Sequence, residues 1–369
     1  ASVNFIGENF KLYGTDKNFT GVHGSAMLGN KVDKWSFWLN ADRLDNHSHP
    51  SDYTPATEFT GAAPAAGQFT DVTGAVSDLD KSNKARVNTA ATSMDHTVKD
   101  NGKIKVAYDF TPTIRATYTL GIWQNTSDKT IDSYLRDAAG NTIYGTGGAG
   151  QYKYVRIGGV GGKYYTVATP GVSQQETENY LHGLSVKSNT GGKWDWEVAA
   201  SVFDTTKDVT RASKNNFGTT PSTAATAGEI TQADGTGWNN VDLRGEWRPS
   251  GERTSKHQVS FGYHDDNYVL KTDTYNLLAG YWLNSATGTL KTNARGKTET
   301  QAVYLQDAVQ IAPALKLVAG GRMESWKASN GSNYASSANV TYQDRTVSAF
   351  SPKVSLSYQA RPDLALRSS

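Results

Sequence analysis

The chain has no cysteine, which removes disulfides and thiolate metal centres and leaves the compartment open. It has no apolar run approaching the roughly 18 residues of a membrane-spanning helix. Charge is nearly balanced, at +2 over 369 residues, so nothing supports a nucleic-acid partner, which calls for a strongly basic face. Apolar residues reach only 37%, little for the large core that this length would allow. No Ser-His-Asp order and no carboxylate pair stands out as catalytic machinery, so neither an enzyme nor a resident cofactor is expected. No signal peptide precedes Val3-Asn4-Phe5-Ile6, and Ser369 stops within the strand-like run Leu364-Ala365-Leu366-Arg367. The expectation is a piece of something longer.

What the chain does have is a two-beat rhythm. Tight turns fall at Gly29 to Asp33, Thr111 to Thr113, Asn189 to Gly192, Pro249 to Glu252, Ala312 to Ala314 and Ala360 to Asp363. Between successive pairs lie long polar stretches such as Asn46 to His96, Asp128 to Thr177 and Arg211 to Gly237. A soluble sandwich has no reason to place its long loops on alternate connections. A barrel of the bacterial outer membrane does, since its periplasmic turns are short and its extracellular loops long.

Strand residues point alternately to opposite faces. In 193–202, Trp194, Trp196, Val198, Ala200 and Val202 oppose Lys193, Asp195, Glu197, Ala199 and Ser201. Ile114, Ala116, Tyr118, Leu120 and Ile122 oppose Arg115, Thr117 and Thr119 in the same way. So do Val241, Leu243 and Trp247 against Asp242, Arg244, Glu246 and Arg248, and Val354, Leu356 and Tyr358 against Lys353, Ser355, Ser357 and Gln359. A lipid-facing Lys or Arg at mid-bilayer costs roughly 2–4 kcal/mol, so the charged face belongs to a watery lumen. A soluble antiparallel sheet with one wet face gives the same alternation; the loop asymmetry decides for the barrel. Asp307 is the exception, sharing a face with Val303, Leu305, Val309 and Ile311, through either a place at the periplasmic rim or a bulge.

The pattern predicts an all-β, antiparallel transmembrane β-barrel, with thirteen strands near 3–13, 17–28, 33–44, 98–110, 113–126, 179–188, 192–208, 238–248, 255–270, 297–311, 314–327, 347–359 and 363–369. Aromatics make up 11%, with 19 Tyr and 9 Trp, many near strand ends where interfacial girdles lie. The partner that follows is outer-membrane lipid.

Three stretches then give the chain a resemblance to TonB-dependent outer-membrane receptors. Gly29-Asn30-Lys31-Val32-Asp33-Lys34-Trp35-Ser36 resembles the family's early periplasmic link before an aromatic strand. Ala302-Val303-Tyr304-Leu305-Gln306-Asp307, with Pro313 and Leu317 to Arg322, resembles its strand-turn-strand. Phe350-Ser351-Pro352-Lys353-Val354, running to Pro362-Asp363-Leu364, resembles its later Phe-Ser-Pro segment. The resemblance spans nearly the whole chain and implies a barrel of about 22 strands filled by a plug. Residues 1–369 would be the N-terminal part of that barrel, with the short link Gly14 to Lys17 near its start and no plug domain. It further implies import of a scarce ligand, by family frequency a ferric siderophore, energised by the TonB complex. A passive porin and an outer-membrane enzyme or adhesin are the alternatives.

Candidate ligand contacts fall in three groups. His47, His49 and Tyr53 open the first long loop, where two His one residue apart suit a metal or metal chelate and Tyr53 suits a ligand ring; a solvated turn is the simpler account. Tyr152, Tyr154, Tyr164 and Tyr165, with Tyr144, lie among glycines in the second loop, as a hairpin over the barrel mouth or as packing between loops. Arg115, Arg244 and Arg322, with Arg248, face the lumen and suit an anionic chelate, or pair with lumenal acids such as Asp242, Glu246 and Glu324. Gly158-Gly159-Val160-Gly161-Gly162-Lys163 is not a phosphate loop, because Ile157 and Tyr164 occupy the positions that need Gly and a hydroxyl.

Overall fold

The computed structural model describes residues 1–148, 151–214, 218–335 and 338–369. Three strands open the chain: β1 (Ser2–Leu12), β2 (Thr15–Val32) and β3 (Trp35–His47). The first long connection carries β4 (Asp52–Pro55), β5 (Thr57–Glu58), β6 (Phe69–Val72) and β7 (Val76–Leu79). After β8 (Ala85–Thr111) and β9 (Ile114–Ser133), the second carries β10 (Tyr154–Ile157) and β11 (Tyr164–Thr166). β12 (Ser173–Ser188) and β13 (Trp194–Lys214) precede a short 3-10 turn and β14 (Ala227–Gln232). The rest runs through β15 (Gly237–Trp247), β16 (His257–Leu277), β17 (Thr287–Ala312), β18 (Leu315–Ala335), β19 (Ala338–Thr341), β20 (Arg345–Arg361) and β21 (Leu364–Ser368). Among the described residues no helix is long and apolar enough to cross a membrane.

Thirteen strands, namely β1–β3, β8, β9, β12, β13, β15–β18, β20 and β21, form one antiparallel meander, each paired with its neighbour in this order. They correspond one for one to the thirteen expected segments. Among the described residues, β1 bonds only to β2 and β21 only to β20, so the wall has two open edges. The six short turns read from the sequence all lie at one end of it, whereas the two-residue link between β1 and β2 lies at the other. The first of the six is tighter than expected: Lys31 pairs with Ser36 and Val32 with Trp35, which leaves Asp33 and Lys34 as the turn, Asp33 at φ 53°. The link between β1 and β2 is Tyr13-Gly14, earlier than the expected Gly14 to Lys17.

Cross-strand pairing carries the alternation from strand to strand. Val198 lies opposite Leu243, Leu243 opposite Tyr263, Tyr263 opposite Val303, Val303 opposite Met323 and Met323 opposite Phe350. This continuous apolar face is the lipid face. At its turn end sit Trp35 against Tyr108, ring centroids 4.6 Å apart, and Trp194 against Trp247 at 6.1 Å, the aromatic girdle expected at an interface. Asp307 belongs to this face near the rim: the register runs unbroken from His257–Val309 to Thr274–Thr292, so no bulge is involved, and Asp307 accepts from His257 Nδ1 at 2.7 Å.

The strands exceed the expected spans. β8 has 27 residues and β17 has 26, against the ~9–11 needed to cross a bilayer. The excess lies at the long-loop end. There, parts of both long connections fold into a second, four-stranded sheet in the order β5-β11-β10-β6, with β6 and β10 parallel. Its core is Val72, Val87, Leu135, Ile143, Val155, Ile157, Tyr165 and Val167. A smaller cluster of Val172, Ala225 and Trp282 joins the later connections. Solvent-free apolar packing therefore sits in the loops, while the wall offers one face to lipid and one to the lumen.

Candidate ligand-binding site

The candidate residues separate into two levels. His47, His49, Tyr53 and the four tyrosines of the second loop lie at the long-loop end, and the three arginines lie nearer the turns. Residues two apart in a strand share a face, which would have kept His47 and His49 together. β3 stops at His47, however, and Ser48 leaves the strand to donate its N–H to Asp95 O at 2.9 Å. His47 stays on the outward face, directly opposite His96. His49 turns to the other side, its ring stacked on Phe10 at 4.7 Å and its Nδ1 2.9 Å from Glu8 Oε2.

Tyr53 packs edge-on against Tyr13 with centroids 4.6 Å apart, and burial raises its pKa. Tyr13 itself donates to Asp78 Oδ2 at 2.5 Å, and Arg86 donates to the same oxygen at 2.6 Å. The Tyr13 hydroxyl first, and then the Arg86 guanidinium, pull the Asp78 carboxyl down to about 2. This cluster ties the β1–β2 tip to the first long connection. Sequence reading missed it, because 65 residues separate Tyr13 from Asp78.

In the small sheet, Tyr154, Tyr164 and Tyr165 lie on the β10–β11 hairpin, where Val155 opposes Tyr165 and Arg156 opposes Tyr164. Tyr154 packs on Phe59 at 4.4 Å and Tyr164 on Phe69 at 4.9 Å. Tyr165 is removed from solvent within the core, and burial raises its pKa. Tyr152 is the exposed member. Arg156 forks onto Asp71, with Nη2 to Oδ2 at 2.7 Å, lies 5.0 Å over the Phe69 ring, and lowers the Asp71 pKa. Glycine is required at the hairpin tip, where Gly159, Gly161 and Gly162 all have positive φ; no helix follows, in keeping with the rejection of a phosphate loop.

The lumenal arginines pair with acids. Arg115 reaches Asp109 at 3.1 Å and Ser36 Oγ at 2.8 Å. Arg322 takes Glu324 on its own strand at 2.9 Å. Arg248 is buried between Asp195 at 2.8 Å and Glu246 at 2.7 Å. Arg244 differs: its carboxylates, Glu197 and Asp242, are both 3.9 Å away and its side chain is 57% exposed. Such exposed, loose pairs are worth at most about 1 kcal/mol, so Arg244 is the most loosely paired of these four arginines. It borders a cavity of about 320 Å³ with Lys187, Glu197, Glu246 and Tyr304. Higher in the lumen Phe203 stacks on Trp238 at 5.9 Å and 9°. Their lumenal parity was legible in the sequence, but their adjacency depends on register.

Residues 122–369 match the model of the TonB dependent receptor-like, beta-barrel family. A search of curated proteins finds no match to the chain. Among solved structures, the chain is similar to FpvA of P. aeruginosa bound to heterologous pyoverdines, at 12% identity and a TM-score of 0.52 over 95% of this chain and 42% of that one. It is similar to the ferric citrate transporter FecA, at 12% identity and a TM-score of 0.53 over 95% and 41%. It is likewise similar to the ferric yersiniabactin uptake receptor FyuA of Yersinia pestis, at 12% and 0.52 over 99% and 45%. The chain thus spans less than half the length of these structures, and at this identity the likeness is one of fold. With more than half its length matched by the family model, the chain belongs to the TonB-dependent receptors, as part of their outer-membrane β-barrel.

Proposed function

We propose that residues 1–369 are the N-terminal part of the barrel of an active importer, whose plug and remaining strands lie elsewhere in the protein. Two open edges support this reading, since unpaired backbone groups are not tolerated in hydrocarbon. The receptor takes up a scarce ligand, a ferric siderophore, in a step energised by TonB. The loop-end aromatics and the loosely paired Arg244 suit capture of a planar or anionic chelate. The observation that carries the proposal is the family match along the wall. The test is uptake of labelled ferric siderophores by iron-starved cells with and without the gene, and with and without TonB. The expected result is loss of one siderophore's uptake in both deletions. Uptake that persists without TonB, or a steady conductance of the purified protein in planar bilayers, overturns the proposal in favour of a passive pore.

A further inference from the structure

We propose that Asp45, His47 and His96 form a binding site for a divalent late transition ion of the zinc class, on the outward face of β3 and β8. Their donor atoms lie within 4.8 Å of one another, and among the described residues this is the one group of three such side chains that converges. His47 and His96 are direct cross-strand partners, with parallel rings 4.0 Å apart. Asp45, one same-face position below His47, places Oδ1 2.9 Å from His96 Nε2.

The chemistry selects the ion. Two imidazoles and one carboxylate are a zinc-type donor set, with room for water, whereas calcium and magnesium prefer all-oxygen shells. Metal–donor distances of about 2.0–2.2 Å place tetrahedral donors roughly 3.3–3.6 Å apart, so donors at the 4.8 Å limit have to close by as much as about 1.5 Å. Half-exposed and exposed side chains on a fixed backbone can make that adjustment by small rotations about χ1 and χ2. Asp45 then serves either as third ligand or as the carboxylate that orients His96.

The other histidines set the contrast. His23, His49, His257 and His264 each meet a single carboxylate, on Asp42, Glu8, Asp307 and Asp242. His182 meets the Tyr118 hydroxyl. None brings a second imidazole. The site lies on the opposite face of the wall from the lumenal arginines, so an ion held there is not cargo. It clips together the two strands from which the first long connection departs.

The test is Co2+ titration of the intact receptor purified from outer membranes, followed by visible absorption and displaced by Zn2+. The expected result is one equivalent bound, with affinity falling at least tenfold in His47→Ala and in His96→Ala and unchanged in His49→Ala. A companion measurement is proteolysis of the 48–84 connection, which Zn2+ slows in the parent and in His49→Ala but not in His96→Ala. Equal Co2+ affinity in the parent and the His47→Ala/His96→Ala double variant overturns the proposal, as does an equal loss in His49→Ala. Because the substituted side chains lie on a solvent-facing part of the sheet, all variants keep the β-sheet circular dichroism of the parent; a variant that loses it is replaced by Asp45→Asn, which must still weaken binding.

Discussion

Ile157→Ala tests whether the small loop sheet is an independently stable unit. Ile157 is 0% exposed and lies opposite Val72 in the parallel β6–β10 pair. The substitution deletes three carbons, worth about 2.4 kcal/mol at roughly 0.8 kcal/mol per buried methylene. The unfilled cavity adds to this, and measured Ile-to-Ala losses run from about 2 to 5 kcal/mol. A cost near 4 kcal/mol raises the local opening equilibrium about a thousandfold. Hydrogen exchange read by mass spectrometry should show this loss of protection in 69–72, 154–157 and 164–166. It should extend to the upper end of β8, because Val87 shares the core. It should not reach the lower halves of β16 and β17, which have no side chain in that cluster. Protection of 154–157 within threefold of the parent would refute the reasoning, and so would loss of protection along the whole wall.

Two further outcomes follow from the same geometry. Leu243→Arg, midway along the lipid face between Trp247 and Asn239, should destabilise the folded barrel by about 2–4 kcal/mol, whereas Ser260→Arg on the lumenal face should change it little; urea midpoints in lipid vesicles check this, and equal effects would reverse the assignment of faces. The Asp78 carboxyl titrates lower in the fold than its ordinary value of 3.8, so its contribution is complete above that value and is lost as pH falls through about 2. Proteolysis or exchange at the β1–β2 tip should therefore rise between pH 4 and 2 in the parent, and Asp78→Asn should show the raised rate already at neutral pH with no acid step.

The wall was legible because two strong local rules coincide there. Pro249, Pro313 and Pro362, with the Asn189-Thr190-Gly191-Gly192 run, punctuate the chain at the turn end, and lipid on one side enforces alternation in between. Where a local rule was weaker the boundaries moved: Gly29 to Val32 look like turn residues, yet they pair with Trp35 to Trp38 as the end of β2. Asp307 breaks the alternation without a bulge because His257, across the sheet at the rim, supplies its hydrogen bond. The second sheet was not legible. It joins 69–72 to 154–157, and nothing in either tetrapeptide names the other. Tyr165 illustrates the cost: composition marks it as an aromatic in a glycine-rich loop, and only the fold shows it closed inside a core.

Above the apolar band the lipid constraint is lifted, and this is where sequence and site part company. On the outward face Ala41 is followed by Arg43, Asp45 and His47, and the pairs change from Leu39–Ile104 to Arg43–Asp100 and His47–His96. Gln124 and Glu178 continue this polar belt with a hydrogen bond at 2.7 Å. Both faces of a strand are wet here, so polar residues cost nothing on either, and period-two patterning no longer reports which way a side chain points. Facing and partnership are then set by register alone, which local composition does not encode. The freedom that hides these residues from pattern reading also permits charged pairs, paired imidazoles and a packed loop sheet to be built on the extracellular end, since none of them has to satisfy a bilayer. The turn end has less latitude: its outward positions are mostly aromatic or apolar, with Asp307 and His257 paired to each other at the rim, and Arg115, Arg248 and Arg322 are held in the lumen against acids. The side-chain clusters that pattern reading misses are accordingly concentrated where the alternation gives out.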